Sequence, residues 1–185
     1  TIQIADSAAD LMVSSLIENL NEPSVIADTT WIEPMKYVGI WWGMHMREHT
    51  WVPGPKHGAT TSRAKEYIDF AAANDFGGVL VEGWNKGWET WHTGHNIQDY
   101  TQAYADFDLA DIAKYAAQKG VTLIGHHETG GNIPMYEQQA EQAFALYAKY
   151  GVRAVKTGYA GKMTPADSFH HGQQMVNHYR RIVEL

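Results

Sequence analysis

The chain has 185 residues, 44% of them hydrophobic, with 7 Trp and 10 Tyr, enough apolar mass to bury the core of one domain and too much for a disordered chain. Its formal net charge of -7, with 14 Lys and Arg dispersed along the sequence, offers no basic face to a nucleic-acid backbone and favours a neutral or cationic ligand. It has no cysteine, which removes disulfide frameworks and thiolate metal sites and leaves the redox compartment open. No stretch approaches the roughly 20 apolar residues of a membrane span, and Thr1–Asp6 lacks the basic-then-apolar pattern of an export signal.

Residues 1–33 hold a helix-like stretch, Ala8 to Leu20, and the turn-prone Asn21-Glu22-Pro23, and read as a lead-in segment. From residue 34 onward, short apolar runs rich in β-branched residues alternate with helical periodicity. The first strand is predicted over Tyr37 to Trp42. The helix that follows, Thr61 to Asn74, puts Ala64, Tyr67, Ile68 and Ala71 on one face, with Thr60 or Thr61 as its cap. The second strand is Gly77 to Glu82. Asp106-Phe107-Asp108 then supplies an acidic cap for a helix from Leu109 to Lys119 that stops at Gly120. The third strand, Val121 to His126, precedes a helix from Met135 to Tyr150 that ends at Gly151. The fourth, Val152 to Lys156, precedes a helix from His171 to Leu185 with no stop signal, so the chain is expected to be cut from a longer design.

Strands that are apolar throughout, each followed by a helix, indicate an α/β fold with parallel strands. Right-handed crossovers then bring the C-terminal ends of all strands to one rim. Four βα units do not close an eight-stranded barrel, which leaves a partial (β/α)8 TIM barrel or an open doubly wound sheet.

The rim sequences are rich in chemistry. Trp41-Trp42-Gly43-Met44-His45 follows the first strand, Glu82-Gly83-Trp84-Asn85-Lys86-Gly87-Trp88 the second, His126-His127-Glu128-Thr129-Gly130-Gly131 the third and Lys156-Thr157-Gly158-Tyr159 the fourth. Indole rings stack on pyranose C–H faces while hydroxyls need directional donors and acceptors, so a sugar suits this set. Core packing competes for any single Trp, but Trp42, Trp84, Trp88 and Trp91 together favour an aromatic cleft. Glu128 is the candidate general acid or base, against a plain capping or salt-bridging role. Glu82 ranks as support, pairing with Lys156 or His126. Four histidines, His126, His127, His170 and His171, raise a zinc reading that no His-x-His at the first strand reinforces. Lys156 suits hydroxyl binding better than Schiff-base chemistry, because its acidic and tyrosine neighbours keep it charged.

These strand-end motifs, Lys36 to Trp42, Val81 to Asn85, His126 to Thr129 and Val155 to Tyr159, with His170-His171-Gly172-Gln173 and Asn177-His178-Tyr179 further on, resemble glycoside hydrolase family 97. The resemblance runs from about Asn21 to the end. It implies an N-terminal β-sandwich, a central (β/α)8 barrel and a C-terminal β-domain, of which this chain resembles the sandwich exit (residues 1–33) and the first half of the barrel (residues 34–185). Within the family, retaining members carry an Asp nucleophile after the fourth strand. Gly158 stands at that place, while the His-His-Glu of the inverting α-glucosidase branch is present. The resemblance therefore implies hydrolysis of α-glucosidic bonds with inversion, Glu128 as general base, and Trp42, Glu82, Trp84, His126, Lys156 and His171 as substrate contacts. It also implies a calcium ion in the full-length parent whose ligands, like the general acid, lie outside this chain, and a periplasmic or secreted bacterial location. The expected partner is an oligosaccharide, with neither nucleic acid nor membrane, and self-association through the open barrel edge. These residues alone are expected to be inactive. A non-catalytic sugar-binding module and a histidine-based barrel metallohydrolase are the alternative readings.

Overall fold

The computed structural model describes residues 2–93, 97–165 and 168–185. It divides into two compact units, Thr1–Pro34 and Met35–Leu185. The first holds two short helices, α1 (Ala8–Val13) and α2 (Leu16–Asn19), in place of the single expected helix. The Ser14-Ser15 pair divides them, and α1 starts where the Ser7 hydroxyl accepts the amide N–H of Asp10.

The second unit is built on four parallel strands, β1 (Tyr37–Ile40), β2 (Gly78–Val81), β5 (Thr122–Glu128) and β6 (Ala154–Gly158). Between them run α3 (Trp42–His45) and α4 (Thr61–Ala73), then α5 (Leu109–Gln118) and α6 (Ile133–Lys149); α7 (Gln173–Glu184) follows β6. The order across the sheet is β1-β2-β5-β6. Each new strand adds to the same side, with no reversal of the kind that marks a doubly wound sheet. The unit is a partial (β/α)8 barrel. Among the described residues no helix is long and apolar enough to cross a membrane.

Helix starts follow the expected chemistry: the Thr60 hydroxyl accepts from the Arg63 amide and the Asp108 carboxylate from the Asp111 amide. The core lies between sheet and helices, where Val79, Val81 and Leu123 meet Ala64, Ile68, Ile112 and Ala116. The connection from β2 to α5 holds an element that the apolar pattern did not signal: an antiparallel hairpin of β3 (Asn85–Lys86) and β4 (Asp99–Ala103), with a 3-10 turn over Trp88–Thr93 between them. Its residues are polar and aromatic, and a two-residue strand leaves no periodicity to read.

Strand boundaries differ from expectation where it matters most. β5 was expected to stop at His126 but continues through Glu128, in register with β6, so that His126 pairs with Lys156 and Glu128 with Gly158. Its last partner on β2 is Ile124. Beyond that point side chains bind the backbone: the Trp84 indole N–H donates to the His126 carbonyl (2.9 Å), and the Tyr147 hydroxyl takes the His126 amide N–H (2.9 Å). Trp84 is therefore not the sugar-facing ring expected. It is 2% exposed, packed against Phe107 and Tyr147, and it completes the bonding of β5.

Tyr147→Phe in the full-length protein removes the partner of a buried amide without opening a cavity, and is expected to lower stability by about 1–3 kcal/mol. A barrel unfolding midpoint in denaturant equal to that of the wild type would refute this role for the hydroxyl.

Candidate active site

A β-strand sends alternate side chains to opposite faces, and the site follows from that rule. On β5, His127 points to the helices, where its ring stacks on Tyr147 (4.9 Å) and meets Phe144 edge-on, and its Nδ1 lies 2.9 Å from the Tyr136 hydroxyl. It is fully buried, and burial drives its pKa down to about 3, so it is a neutral packing residue. His126 and Glu128 take the other face, which Glu82 beyond the end of β2 and Lys156 on β6 approach.

Glu128 is the best-defined group there. Its Oε1 accepts the amide N–H groups of Gly130 and Ala160, both at 2.9 Å. Gly130 has φ +57°, a left-handed conformation that turns its N–H back toward the carboxylate at little steric cost. Among the described residues, Oε2 has no hydrogen bond. Burial raises the Glu128 pKa to about 7; the two amides and the Lys156 charge pull the other way, and the Glu82 charge adds to the rise. The Tyr100 hydroxyl donates to the Glu128 carbonyl (3.0 Å), fixing the backbone beneath the side chain.

Glu82 is held from the side by the Trp51 indole, whose N–H donates to Oε1 at 2.7 Å. Burial raises its pKa, against the opposing effects of Trp51, His45 and Lys156. The anticipated ion pair with His126 is absent as such. His126 Nε2 is 3.8 Å from Glu82 Oε2, beyond hydrogen-bond reach, and burial together with the Lys156 charge lowers the imidazole pKa to about 3.

Glu82 and Glu128 lie on one cavity of about 770 Å³, of the size that takes a small oligosaccharide or drug-sized ligand. Ala160, after β6, adds to the wall, and two segments supply the rest. The connection after β1 contributes His45, Arg47, His49 and Trp51; the 3-10 turn contributes Trp88, Glu89 and Trp91. The β1 connection is tied down by His57, whose Nδ1 faces Asp106 (2.7 Å) and whose Nε2 faces the Gly83 carbonyl (3.3 Å), and by Arg63, whose guanidinium reaches His49 Nε2 (2.9 Å).

Of the residues anticipated from sequence, Glu128 and Glu82 meet at this cavity, as do Trp88 and Trp91. Lys156 is exposed on β6, near enough to act on both carboxylates through its charge but outside the cavity wall. Trp42 is 59% exposed, set edge-on to Trp41, and does not line the cavity; the chain turns into α3 at that residue instead of continuing β1. His126 is buried and its ring does not line the cavity, while His171 is an exposed neighbour of His170 in the turn before α7. Trp51, Arg47, His49 and Glu89 were not anticipated. Trp51 sits beside Pro53-Gly54-Pro55, a turn signal that hides a ring lining the cavity. Among the described residues, no group of three or more His, Asp or Glu side chains converges to hold a metal ion.

Residues 41–185 match the family model for glycoside hydrolase 97. Among curated proteins, the chain is 29% identical over 185 residues to a retaining α-galactosidase of Bacteroides thetaiotaomicron, an alignment covering 95% of this chain and 25% of that protein. Among solved structures, it is similar to a glycoside hydrolase family 97 enzyme from Pseudoalteromonas sp. strain K8 in complex with acarbose, and to a variant of that enzyme in complex with panose. Each is 49% identical, has a TM-score of 0.84, and is matched over 97% of this chain and 29% of its own length. The chain thus spans between a quarter and a third of the length of these relatives. With the family match extending over most of the sequence and a sheet order that fits a partial barrel, the chain belongs to glycoside hydrolase family 97.

Proposed function

We propose that the protein to which this chain belongs hydrolyses α-glucosidic bonds of oligosaccharides with inversion, and that Glu128 is a general base. The observation that carries this reading is the state of Glu128. One carboxylate oxygen is pinned by two backbone amides and the other has no hydrogen bond among the described residues, in a pocket that raises the pKa to about 7. A base of that strength is both ionised and effective near neutral pH. The second oxygen takes a proton from a water as that water attacks the anomeric carbon. The glycosidic oxygen leaves with a proton from an acid supplied outside these residues. Room for the water is what separates the two carboxyl groups of inverting glycosidases by about 6.5–9.5 Å. Support for inversion comes from Gly158, in register opposite Glu128, where the family resemblance puts the nucleophile of retaining members. The 49% identity to an enzyme solved with panose, against 29% to the curated α-galactosidase, supports the glucoside over the galactoside.

The relationship to a retaining α-galactosidase favours a second reading, retention on α-galactosides. Proton NMR of the first-formed sugar decides between them. Inversion releases β-glucose from an α-glucoside, and α-configured product would sink the proposal. Binding of α-glucosides without turnover by the full-length protein would point instead to a sugar-binding module. The calcium expected for the parent and its export belong to the same proposal. Chelation of the full-length enzyme should abolish turnover and added calcium restore it; activity that survives chelation removes the ion from the account.

Because Glu128 must be ionised, kcat/KM should fall about tenfold per pH unit below about pH 7. Glu128→Gln, which keeps an oxygen for both amides, should lower kcat by roughly 10²–10⁴-fold. An acid limb left in place in the variant would assign that limb to another group.

The same burial makes the carboxylate costly to the fold. A carboxyl whose pKa is higher folded than unfolded holds its proton in the native state between about pH 4.5 and 7, so its contribution to stability declines as pH rises through that window. Glu128→Gln should accordingly raise the thermal midpoint at pH 8 and leave it unchanged at pH 4. Equal shifts at both values would refute the burial argument.

A further inference from the structure

Three indole rings form a nearly parallel series along the cavity: Trp51 and Trp88 at 6.0 Å and 12°, Trp88 and Trp91 at 5.3 Å and 15°. Their positions make them unequal. Trp88 is sandwiched and 5% exposed, so neither of its faces is free to stack on a ligand. Trp51 packs on Trp88 on one side and meets His45 edge-on at 5.1 Å, while its N–H is committed to Glu82. Trp91 ends the series. Its inner face rests on Trp88, which separates it in the series from the Trp51 ring bonded to Glu82, and the half-buried ring lines the cavity.

The turn that carries Trp91 is held with unusual care for a surface connection. The Tyr104 hydroxyl accepts the amide N–H groups of Gly87 (3.2 Å) and Trp88 (3.1 Å) and donates to the Glu89 carboxylate. The Trp88 indole N–H donates to the buried side chain of Asn85 (3.2 Å), whose amide donates to the buried Gln98 (3.0 Å). Gln139 of α6 donates in turn to the Gln98 carbonyl (2.9 Å). Glu89 thus stands on the cavity wall as a fixed acceptor, its pKa lowered chiefly by the Tyr104 hydroxyl. A rigid aromatic face beside a fixed carboxylate is the pairing that recognises a pyranose, by stacking on C–H groups and accepting from hydroxyls.

We infer that Trp91 and Glu89 form a subsite for a sugar unit away from the bond being cleaved, and that this subsite sets the preference for longer α-glucosides. The inference rests on the glycosidase reading of Glu128. In the full-length enzyme, the ratio of kcat/KM on maltotetraose to that on maltose should fall about tenfold in Trp91→Ala, through KM, with Trp91→Phe retaining part of it and Glu89→Gln lowering it less. An unchanged ratio in Trp91→Ala overturns the inference and leaves the Glu128 chemistry standing. If the wild type hydrolyses no α-glucoside, the proposed function has failed and calorimetry on Glu128→Gln decides the inference separately. There, maltotetraose should bind about tenfold more weakly once Trp91→Ala is added. An equal Kd, or no binding at all, overturns it. Circular dichroism of each variant, together with the intermediate behaviour of Trp91→Phe, separates loss of the platform from loss of the fold.

Discussion

Strand β5 continues past its last partner on β2 and ends on an ionisable residue, and the rest of the site hangs on that overhang. A strand with a neighbour on one side only exposes backbone groups that must find partners or remain costly. Here Trp84 and Tyr147 meet the need at His126, and Tyr100 does so at the Glu128 carbonyl. The side-chain bonds keep the strand extended, and the extension keeps the two-residue period in force to the last residue. Period, in turn, separates two adjacent histidines completely: one becomes part of an aromatic box on the helix side, the other a buried neutral neighbour of the carboxylates.

Electrostatics follow from the same geometry. Glu82 and Glu128 are buried enough for desolvation to dominate both; the Glu82 charge adds to the cost of ionising Glu128, and the Lys156 charge relieves each of them. Neutral His126 gives neither an ion pair. The compensation that Glu128 does receive, two backbone amides on one oxygen, is directional and leaves the other oxygen for chemistry. A carboxylate in such a place is less stable ionised than it would be in water, and therefore a better proton acceptor.

Much of the barrel is legible in the sequence, because parallel strands covered on both sides must be apolar throughout and their helices must begin with caps such as Thr60 and Asp108. Glu128 is legible too, since a carboxylate immediately after a buried strand falls on the rim in any βα fold. What escapes is whatever depends on facing. Trp84, Trp42 and His126 all occur in rim sequences, but whether a side chain near a strand end points to cavity, core or solvent depends on where the strand stops, and that varies by a residue or two. β5 ran two residues longer than its apolar run, while β1 ended two residues sooner, at Ile40, and gave way to α3. Trp51 and Glu89 escape for another reason: they sit in connections whose shape is set by hydrogen bonds between residues far apart in sequence, such as Tyr104 with Gly87 and His57 with Asp106.

The hairpin of β3 and β4 stands outside the register of the parallel sheet, joined to it through side chains and not through shared strand pairing. Connections of this kind change in length and composition far more readily than the strands they link. An evolving lineage can therefore lengthen, shorten or rebuild this wall while Glu82 and Glu128 keep their places. Change in the wall is thereby uncoupled from preservation of the buried carboxylates, and related chains are expected to differ most in the 85–103 region.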